Sequence, residues 1–227
     1  RSALRDVISN CIYGVDQNPL AVELCQVSLW MEAMVPGKPL AFLDFHIRRG
    51  NSLIGATPRM LREGITKKVF QKIEGDSDAI FRGLKTRNEH ERGGQQDFFV
   101  GDQNFWDEMR QLVSLFDQVK ETKDETLEGV YKKSKKYYEF LDSNIYRSGR
   151  LLADAWCASF FWVKQQENEP HLTENQFRLI QNNPSQIEPN ITKEIRRLRK
   201  QFAFFHWHLE FPDVCRKLCL VESCETL

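Results

Sequence analysis

The sequence predicts an α/β protein that begins with one βαβ unit and continues as a long, mostly helical region. Three observations carry this prediction. A strand-favouring run ends at Asp16, and Asn18 and Pro19 after it are typical of a helix N-cap and first helical position. A second strand-like run follows at residues 46–50. From Thr57 onward the alternation typical of strands is lost.

The βαβ unit follows a short helical lead-in at residues 2–10. This lead-in is predicted to face inward through three apolar side chains, namely Leu4, Val7 and Ile8. A strand is predicted over residues 11–16 and a helix over residues 19–35, which Pro36 and Gly37 end. That helix repeats apolar residues at three- and four-residue steps, and we expect this stripe to be core: Leu20, Leu24, Val27, Trp30, Met31 and Met34. The crossover of this βαβ unit should be right-handed, and its two strands should be parallel neighbours.

The region after Thr57 is predicted to be helical, with exposed loops between the helices. A helix over residues 58–71 is interrupted at Gly64, and residues 74–78 and 85–96 are expected to be exposed and mobile. Further helices are predicted over four ranges: 105–120, 124–141, 148–164 and 192–202. A short helix to about residue 182 should begin with a capping box of Thr173 and Gln176.

Composition limits the class of protein. The 227 residues carry a formal net charge of zero, with 41% hydrophobic and 28% charged residues, which argues against a protein that coats polyanions. No apolar run reaches the length of a membrane span, and we expect a cytoplasmic protein with no membrane partner. The six cysteines fit a reducing compartment. Because the chain starts at Arg1 inside a predicted helix, we expect it to be an internal piece of a longer protein.

The strand ends point to a ligand site. In open α/β sheets, ligands bind beyond the carboxyl ends of the strands, where an acid can accept hydrogen bonds from ribose hydroxyls. Asp16 and Asn51 follow the two predicted strands, so they can meet at one ligand. Two alternatives stay open, since Asp16 can simply cap its turn and Gly50-Asn51 can be no more than a turn.

The residues around both strand ends carry a family resemblance. Three stretches, YGVDQNPLAVEL with SLW, PGKPL, and FLD with GNSLIG, lie within residues 12–55. Together they resemble the adenine-N6 DNA methyltransferases that form the modification part of single-chain restriction-modification enzymes and related phage-defence systems. A weaker echo lies at residues 205–212. The resemblance implies a Rossmann-like S-adenosylmethionine-dependent domain with a large helical insertion: residues 1–56 a partial cofactor-binding unit, 57–202 the insertion, and 203–227 the return to the core with a divergent tail.

The resemblance also implies site residues. Asp16 would hold the ribose hydroxyls of S-adenosylmethionine, and Gln17 would lie against its adenine. Asn51 and Ser52 occupy the place where the family commonly has an acid that accepts a hydrogen bond from the adenine amino group. The glycine-rich loop and the Asn-Pro-Pro-Tyr-like turn of the family do not occur in this chain. We therefore assign no catalytic residue and expect this fragment alone not to methylate DNA. The expected partners are DNA and, in the same parent protein, nuclease or target-recognition domains.

Two further groups of residues have side chains suited to binding phosphate or metal. Phosphate contact is predicted for a basic helix segment, namely Lys193, Arg196, Arg197, Arg199 and Lys200, and a second run could act likewise, Lys132, Lys133, Lys135 and Lys136. Solvated helix faces are the alternative for both. Zinc-capable side chains cluster near the end (His206, His208, Cys215, Cys219 and Cys224), but they lack a Cys-x-x-Cys pair, so no metal is assigned.

Other functional classes remain as alternatives to the methyltransferase. A non-catalytic scaffold remnant would use the helical region to bind other subunits. A piece of a nicotinamide-dependent enzyme would also place an acid after its second strand, although the stretch GNSLIG argues against it.

Overall fold

The computed structural model describes residues 2–94, 102–165 and 171–216. In these ranges the chain forms two short strands and a set of helices. The elements are α1 (Ser2–Cys11), β1 (Gly14–Asp16), α2 (Pro19–Ala33), β2 (Ile47–Arg49), α3 (Pro58–Glu63), α4 (Asp78–Gly94), α5 (Asp102–Lys120), α6 (Leu127–Asp142), α7 (Asn144–Phe161), α8 (Glu174–Asn182), α9 (Pro189–Phe202) and α10 (Trp207–Glu210). Short 3-10 turns lie at Lys67–Val69 and Pro184–Gln186.

The two strands confirm the predicted βαβ unit. β1 and β2 are parallel and hydrogen-bonded neighbours, with Gly14 opposite Ile47 and Asp16 opposite Arg49. Each strand has three residues, shorter than predicted, because α1 continues to Cys11 and the chain turns at residues 44–46 before β2. A Cβ on Gly14 would lie 3.2 Å from the Ile47 side chain, so glycine permits this close approach. Completion of a larger Rossmann-like sheet stays a prediction.

Helix α2 begins and ends where its local sequence indicates. The Asn18 side chain accepts a hydrogen bond from the Leu20 amide at 3.0 Å, and Pro19 occupies the first turn. Apolar residues on one face of the helix, among them Leu29, Trp30 and Ala33, pack in a small cluster with Ala41 and Leu43. The Trp30 indole N–H donates to the Ala41 carbonyl at 2.8 Å.

The predicted core stripe of α1 and α2 is wrong for most of its members. Leu20 and Met31 are each 70% exposed and Leu24 is 67% exposed. In α1 only Ile8 of the three predicted inward residues is buried. The physical reason is that α2 is apolar on two faces, and only the face that contains Leu29 is covered by the rest of the fold.

The main core joins the strand region to the helices. Phe45, Phe116 and Phe204, which come from the three predicted segments of the chain, are buried in one cluster. Helix α7 contributes much of this core through Leu152, Ala153, Ala155 and Ala158, and it packs against α5, α6, α8 and α9. The domain boundaries at residues 56 and 202 stay predictions.

Two segments that were expected to be exposed are largely exposed, but one is helical and each contains a buried polar side chain. Residues 85–94 belong to α4, where Leu84 and Asn88 are buried, while residues 95 and 96 lie outside the described residues. In the segment expected to be exposed, the buried Asp76 carboxylate accepts a hydrogen bond from the Lys164 amide at 2.8 Å. In each segment one polar side chain is buried, Asn88 in the first and Asp76 in the second, because groups distant in sequence provide its hydrogen-bond partners.

The capping box expected at Thr173 is also wrong. Thr173 makes no capping side-chain hydrogen bond. Instead the Asn88 amide oxygen accepts from the Glu174 N–H at 2.8 Å, and its amide nitrogen donates to the Ile65 carbonyl at 2.9 Å. An amide side chain on α4 therefore caps α8. No helix among the described residues combines the length and the apolar character that a membrane span requires.

Candidate cofactor site at the carboxyl ends of the strands

Asp16 closes β1 and shapes the turn into α2. One carboxylate oxygen accepts a hydrogen bond from the Asn18 amide at 2.7 Å, and the side chain is exposed to solvent. The turn function and a ligand function are compatible, because a carboxylate has two oxygens that accept several hydrogen bonds. The predicted site residue thus lies at the end of a parallel strand.

Arg49 is a charged neighbour of Asp16 that sequence reasoning missed. It lies directly opposite Asp16 in the strand register, is exposed, and donates from Nε to the Gln17 carbonyl at 3.2 Å. This bond ties the turn after β1 to the end of β2. The Gln17 side chain is exposed beside it.

Asn51 and Ser52 lie in the loop that follows β2. The Asn51 amide oxygen accepts from the Leu53 N–H at 3.0 Å, so its predicted acceptor already has one partner. The Ser52 carbonyl accepts from the Trp207 indole N–H at 3.0 Å, and the Ser52 side chain is exposed. Arg49 lies opposite Asp16 in the sheet, and Asn51 follows Arg49 by two residues. Asn51 therefore lies roughly 7 Å further along the strand direction than Arg49.

Residues 203–207, which we call the return segment, hold this loop from the other side. Asn51 forms a parallel bridge with Phe204, and its N–H donates to the Ala203 carbonyl at 2.6 Å. The Phe205 N–H donates to the Ile54 carbonyl at 2.8 Å. The loop is therefore positioned by a part of the chain about 150 residues away in sequence. In the sequence, only the weak family resemblance at residues 205–212 indicated that this segment returns to the strands.

Two glycines of the GNSLIG stretch make the close contact possible. A Cβ on Gly50 would lie 2.5 Å from the Phe205 ring, and one on Gly55 would lie 2.0 Å from the Phe205 carbonyl oxygen. A real side chain cannot approach so closely, so these positions require glycine. The ring clash could be relieved by side-chain movement, whereas the backbone clash at Gly55 requires the chain itself to shift.

We expect Gly55→Ala to destabilise the protein by about 1–3 kcal/mol, the usual range for overpacking. Urea unfolding of the variant measures this. Gly83→Ala in α4 is the matched control, because a Cβ there meets no atom within 4 Å. That substitution should be neutral or stabilise the helix by about 0.5–1 kcal/mol. Equal unfolding free energies for the two variants would contradict the close packing of the loop on the return segment.

A buried ionic cluster lies behind the site and joins β2 to the helices. Arg48 donates to the Glu210 carboxylate at 2.7 and 3.0 Å, and Tyr146 donates to it at 3.0 Å. Arg150 also pairs with Glu210. Burial alone would raise the pKa of Glu210, but the charges of Arg150 and Arg48, together with hydrogen bonds from Tyr146 and Arg48, lower it to about 2. Glu210 therefore stays ionised.

His206 links the return segment to α7. Its Nδ1 accepts from the Ala56 N–H at 3.1 Å, so its Nε2 carries the proton and donates to Asp154 at 3.0 Å. Among the described residues, no group of three or more His, Cys, Asp or Glu side chains is arranged to hold a metal ion. Cys219 and Cys224 lie outside the described residues.

The predicted basic helix is α9, which is amphipathic. Its inner face buries three apolar side chains, Ile191, Ile195 and Leu198. Arg197 pairs with Glu194 at 2.7 Å, and Arg199 pairs with the buried Asp154 at 3.5 Å. Four of the predicted phosphate ligands are exposed, namely Lys193, Arg196, Arg197 and Lys200, and of these Arg197 is the one that pairs with Glu194.

In the second basic run, Lys133 cannot reach DNA. It is buried, lies 5.3 Å from the Phe45 ring centre and pairs with Asp124 at 3.6 Å. Lys132 and Lys136 line an open cavity of about 520 Å³ together with Lys123. Lys133 is the one buried lysine of this run, and Lys132, Lys135 and Lys136 remain accessible to solvent.

Comparison with known proteins places this geometry in a family. The family model for the Eco57I restriction-modification methylase matches residues 10–218, which include both strands, helices α2 to α10 and the return segment. Neither the curated proteins nor the solved structures gave a significant match. The match confirms the resemblance at the level of a restriction-modification methylase, a family of DNA methyltransferases. The chain therefore belongs to the Eco57I restriction-modification methylase family.

Proposed function

We propose that this chain supplies one edge of the cofactor site of a DNA methyltransferase that transfers a methyl group from S-adenosylmethionine to adenine N6. Family membership supports methyl transfer to DNA. The observation that supports the cofactor site is the parallel pairing of β1 and β2, which brings Asp16 and the Asn51 loop to one sheet edge. This edge is where open α/β sheets bind their ligands.

Asp16 fits the ribose of such a cofactor. Its carboxylate is exposed, and the turn uses one oxygen for the Asn18 amide. A carboxylate can accept both hydroxyl protons of a vicinal diol through charge-assisted hydrogen bonds. Arg49 holds the adjacent turn through the Gln17 carbonyl, which limits movement of Asp16.

The loop after β2 fits the base of the cofactor. The Asn51 amide oxygen accepts one hydrogen bond from Leu53, and a carbonyl-type oxygen can accept a second. In this proposal the second donor is the adenine amino group, with Gln17 and the Ser52 side chain at the rim of the ring. When bound, S-adenosylmethionine supplies a methyl group on a positively charged sulfur, and the residues named here bind and orient its nucleoside half.

The DNA would lie near α9 in this proposal. The exposed cations Lys193, Arg196 and Lys200 pair with no acid in the described part of the chain, so they can neutralise phosphates without breaking such a pair. Arg197 and Arg199 would first have to leave Glu194 and Asp154. Nuclease and target-recognition domains of the same parent protein are the proposed further partners.

The test uses the product of the complete reading frame and its Asp16→Ala variant. We expect the variant to bind S-adenosylmethionine about 2 kcal/mol more weakly, roughly 30-fold, because charge-assisted hydrogen bonds are lost. Isothermal titration measures the affinity, and mass spectrometry of nucleosides from methylated DNA identifies the product base.

Asp142→Ala is the matched control, since Asp142 is also an exposed acid, at the end of α6. Its affinity should equal that of the wild type. An unchanged affinity of Asp16→Ala would mean that Asp16 is only a turn residue. A methylated cytosine in place of N6-methyladenine would contradict the proposed target atom.

One observation favours the second candidate, a non-catalytic interaction unit. The outer face of α2 leaves Leu20, Leu24 and Met31 largely exposed, and contiguous apolar surface of this kind is typical of an interaction site. Such a unit would bind no S-adenosylmethionine, so the same titration separates the two candidates.

A further inference from the structure

The indole of Trp207 is fixed at the edge of the candidate cofactor site. Its N–H donates to the Ser52 carbonyl at 3.0 Å. Its ring makes edge contacts with Phe205 and Phe211, with centroid distances of 5.3 and 5.7 Å. The side chain nevertheless remains 42% exposed. A large aromatic ring is thus held rigidly while part of its surface faces solvent.

Leu53 is the second exposed apolar group at this place. It is 91% exposed, although it belongs to the loop that the return segment holds so closely. A cavity of about 90 Å³ lies between the loop and Trp207, lined by Ser52, Leu53, Gly55 and Trp207 among others. Leu53 is also tied to Asn51, because its N–H donates to the Asn51 amide oxygen at 3.0 Å, and Ser52 between them lines the cavity.

This arrangement suits a flat heteroaromatic ring. A planar base gains by stacking on an aromatic side chain, and the gain is largest where the ring is already held in position. The adjacent amide oxygen of Asn51 can accept from an amino group on the edge of the same base. Apolar faces and a polar edge acceptor together select a purine over a sugar or a peptide side chain.

We propose that Trp207 and Leu53 form the apolar contact surface for the adenine ring of the cofactor. This inference rests on the proposed function and adds to it two residues in contact with the base. Trp207 also positions the loop, because its indole N–H donates to the Ser52 carbonyl.

The test measures binding of S-adenosylhomocysteine to the product of the complete reading frame. Trp207→Ala should weaken binding about tenfold, because the stacking surface is removed. Trp207→Phe keeps an aromatic ring and should stay within about threefold of the wild type. Ligand addition should quench tryptophan fluorescence of the wild type, and Trp207→Phe should abolish that quench.

Two variants provide the control and a safeguard against misfolding. Trp30→Phe removes another indole N–H bond to a backbone carbonyl, on α2 and away from the cavity, and should change neither affinity nor quench. Leu53→Ser alters a side chain that is almost fully exposed, so the fold should tolerate it, and binding should weaken about threefold.

The outcomes separate the two proposals. If Asp16→Ala weakens binding while Trp207→Ala and Leu53→Ser do not, the adenine contact is overturned and the proposed function stands. If the wild-type protein does not bind S-adenosylhomocysteine, the proposed function fails and the adenine contact fails with it. Loss of the quench in Trp207→Phe together with weaker binding of Leu53→Ser supports the contact.

Discussion

Glu210→Ala is expected to lower the free energy of unfolding by about 3–5 kcal/mol, because it leaves buried positive charges without their partner. Glu210 receives hydrogen bonds from Arg48 on β2 and from Tyr146 on α7, and it pairs with Arg150. Both arginine side chains are largely buried, at 21% and 15% exposure. Urea unfolding, or the shift in melting temperature, measures the loss.

Glu63→Ala is the matched control for this prediction. Glu63 pairs with Arg59 at 3.3 Å, but both side chains lie at the surface, and such pairs contribute less than about 1 kcal/mol. Glu210→Gln keeps the shape of the side chain and removes its charge, so it should fall between the two. A loss for Glu210→Ala no larger than that for Glu63→Ala would show that the cluster does not hold β2 to α7.

Stability is expected to fall as the pH decreases from about 6.5 to about 4.5, with histidines responsible for the loss. Burial lowers the pKa of His46 to about 4. Burial likewise lowers the pKa of His208 to about 3. Both side chains are therefore neutral in the folded protein at pH 5, whereas the unfolded chain, with histidine pKa values near 6.5, binds protons.

The direction of the pH dependence follows from this difference in proton binding between the folded and unfolded chain. Lowered histidine pKa values give full stability above pH 6.5, and the stability is lost progressively as the pH falls towards 4 for His46 and 3 for His208. Over the window from pH 6.5 to 4.5 the loss is on the order of 2 kcal/mol for each histidine. Glu210 contributes only at lower pH, because its pKa moves from 4.5 to about 2.

Unfolding free energies measured at several pH values test this expectation. His46→Gln should flatten part of the pH dependence, since it removes a group that must stay neutral while it contacts the Ile12 carbonyl. His90→Gln, at an exposed position of α4, should leave the dependence unchanged. A stability that is level from pH 6.5 to 4.5 would contradict the buried neutral state of both histidines.

The sequence by itself determined the features that depend on neighbouring residues. Asn18 and Pro19 set the start of α2, and a glycine at position 64 ends α3 with a positive φ of 72°. The parallel pairing of β1 and β2 followed from the strand–helix–strand order, because one helical crossover returns the chain to start the second strand in the same direction as the first. The motif run over residues 12–55 was specific enough to indicate the restriction-modification methylase family, which the family model confirms.

Only the tertiary structure decided which apolar face is covered and which polar groups meet. The periodicity of α2 showed that Leu24 lies on an apolar face, but a helix that is apolar on two faces does not reveal which one the fold buries. The cap of α8 by Asn88, the pairing of Arg48 with Glu210 and the bond from Trp207 to Ser52 join residues 86, 162 and 155 positions apart. Local propensity carries no information about such partners, because a polar side chain can satisfy its hydrogen bonds with any group that packing brings near it.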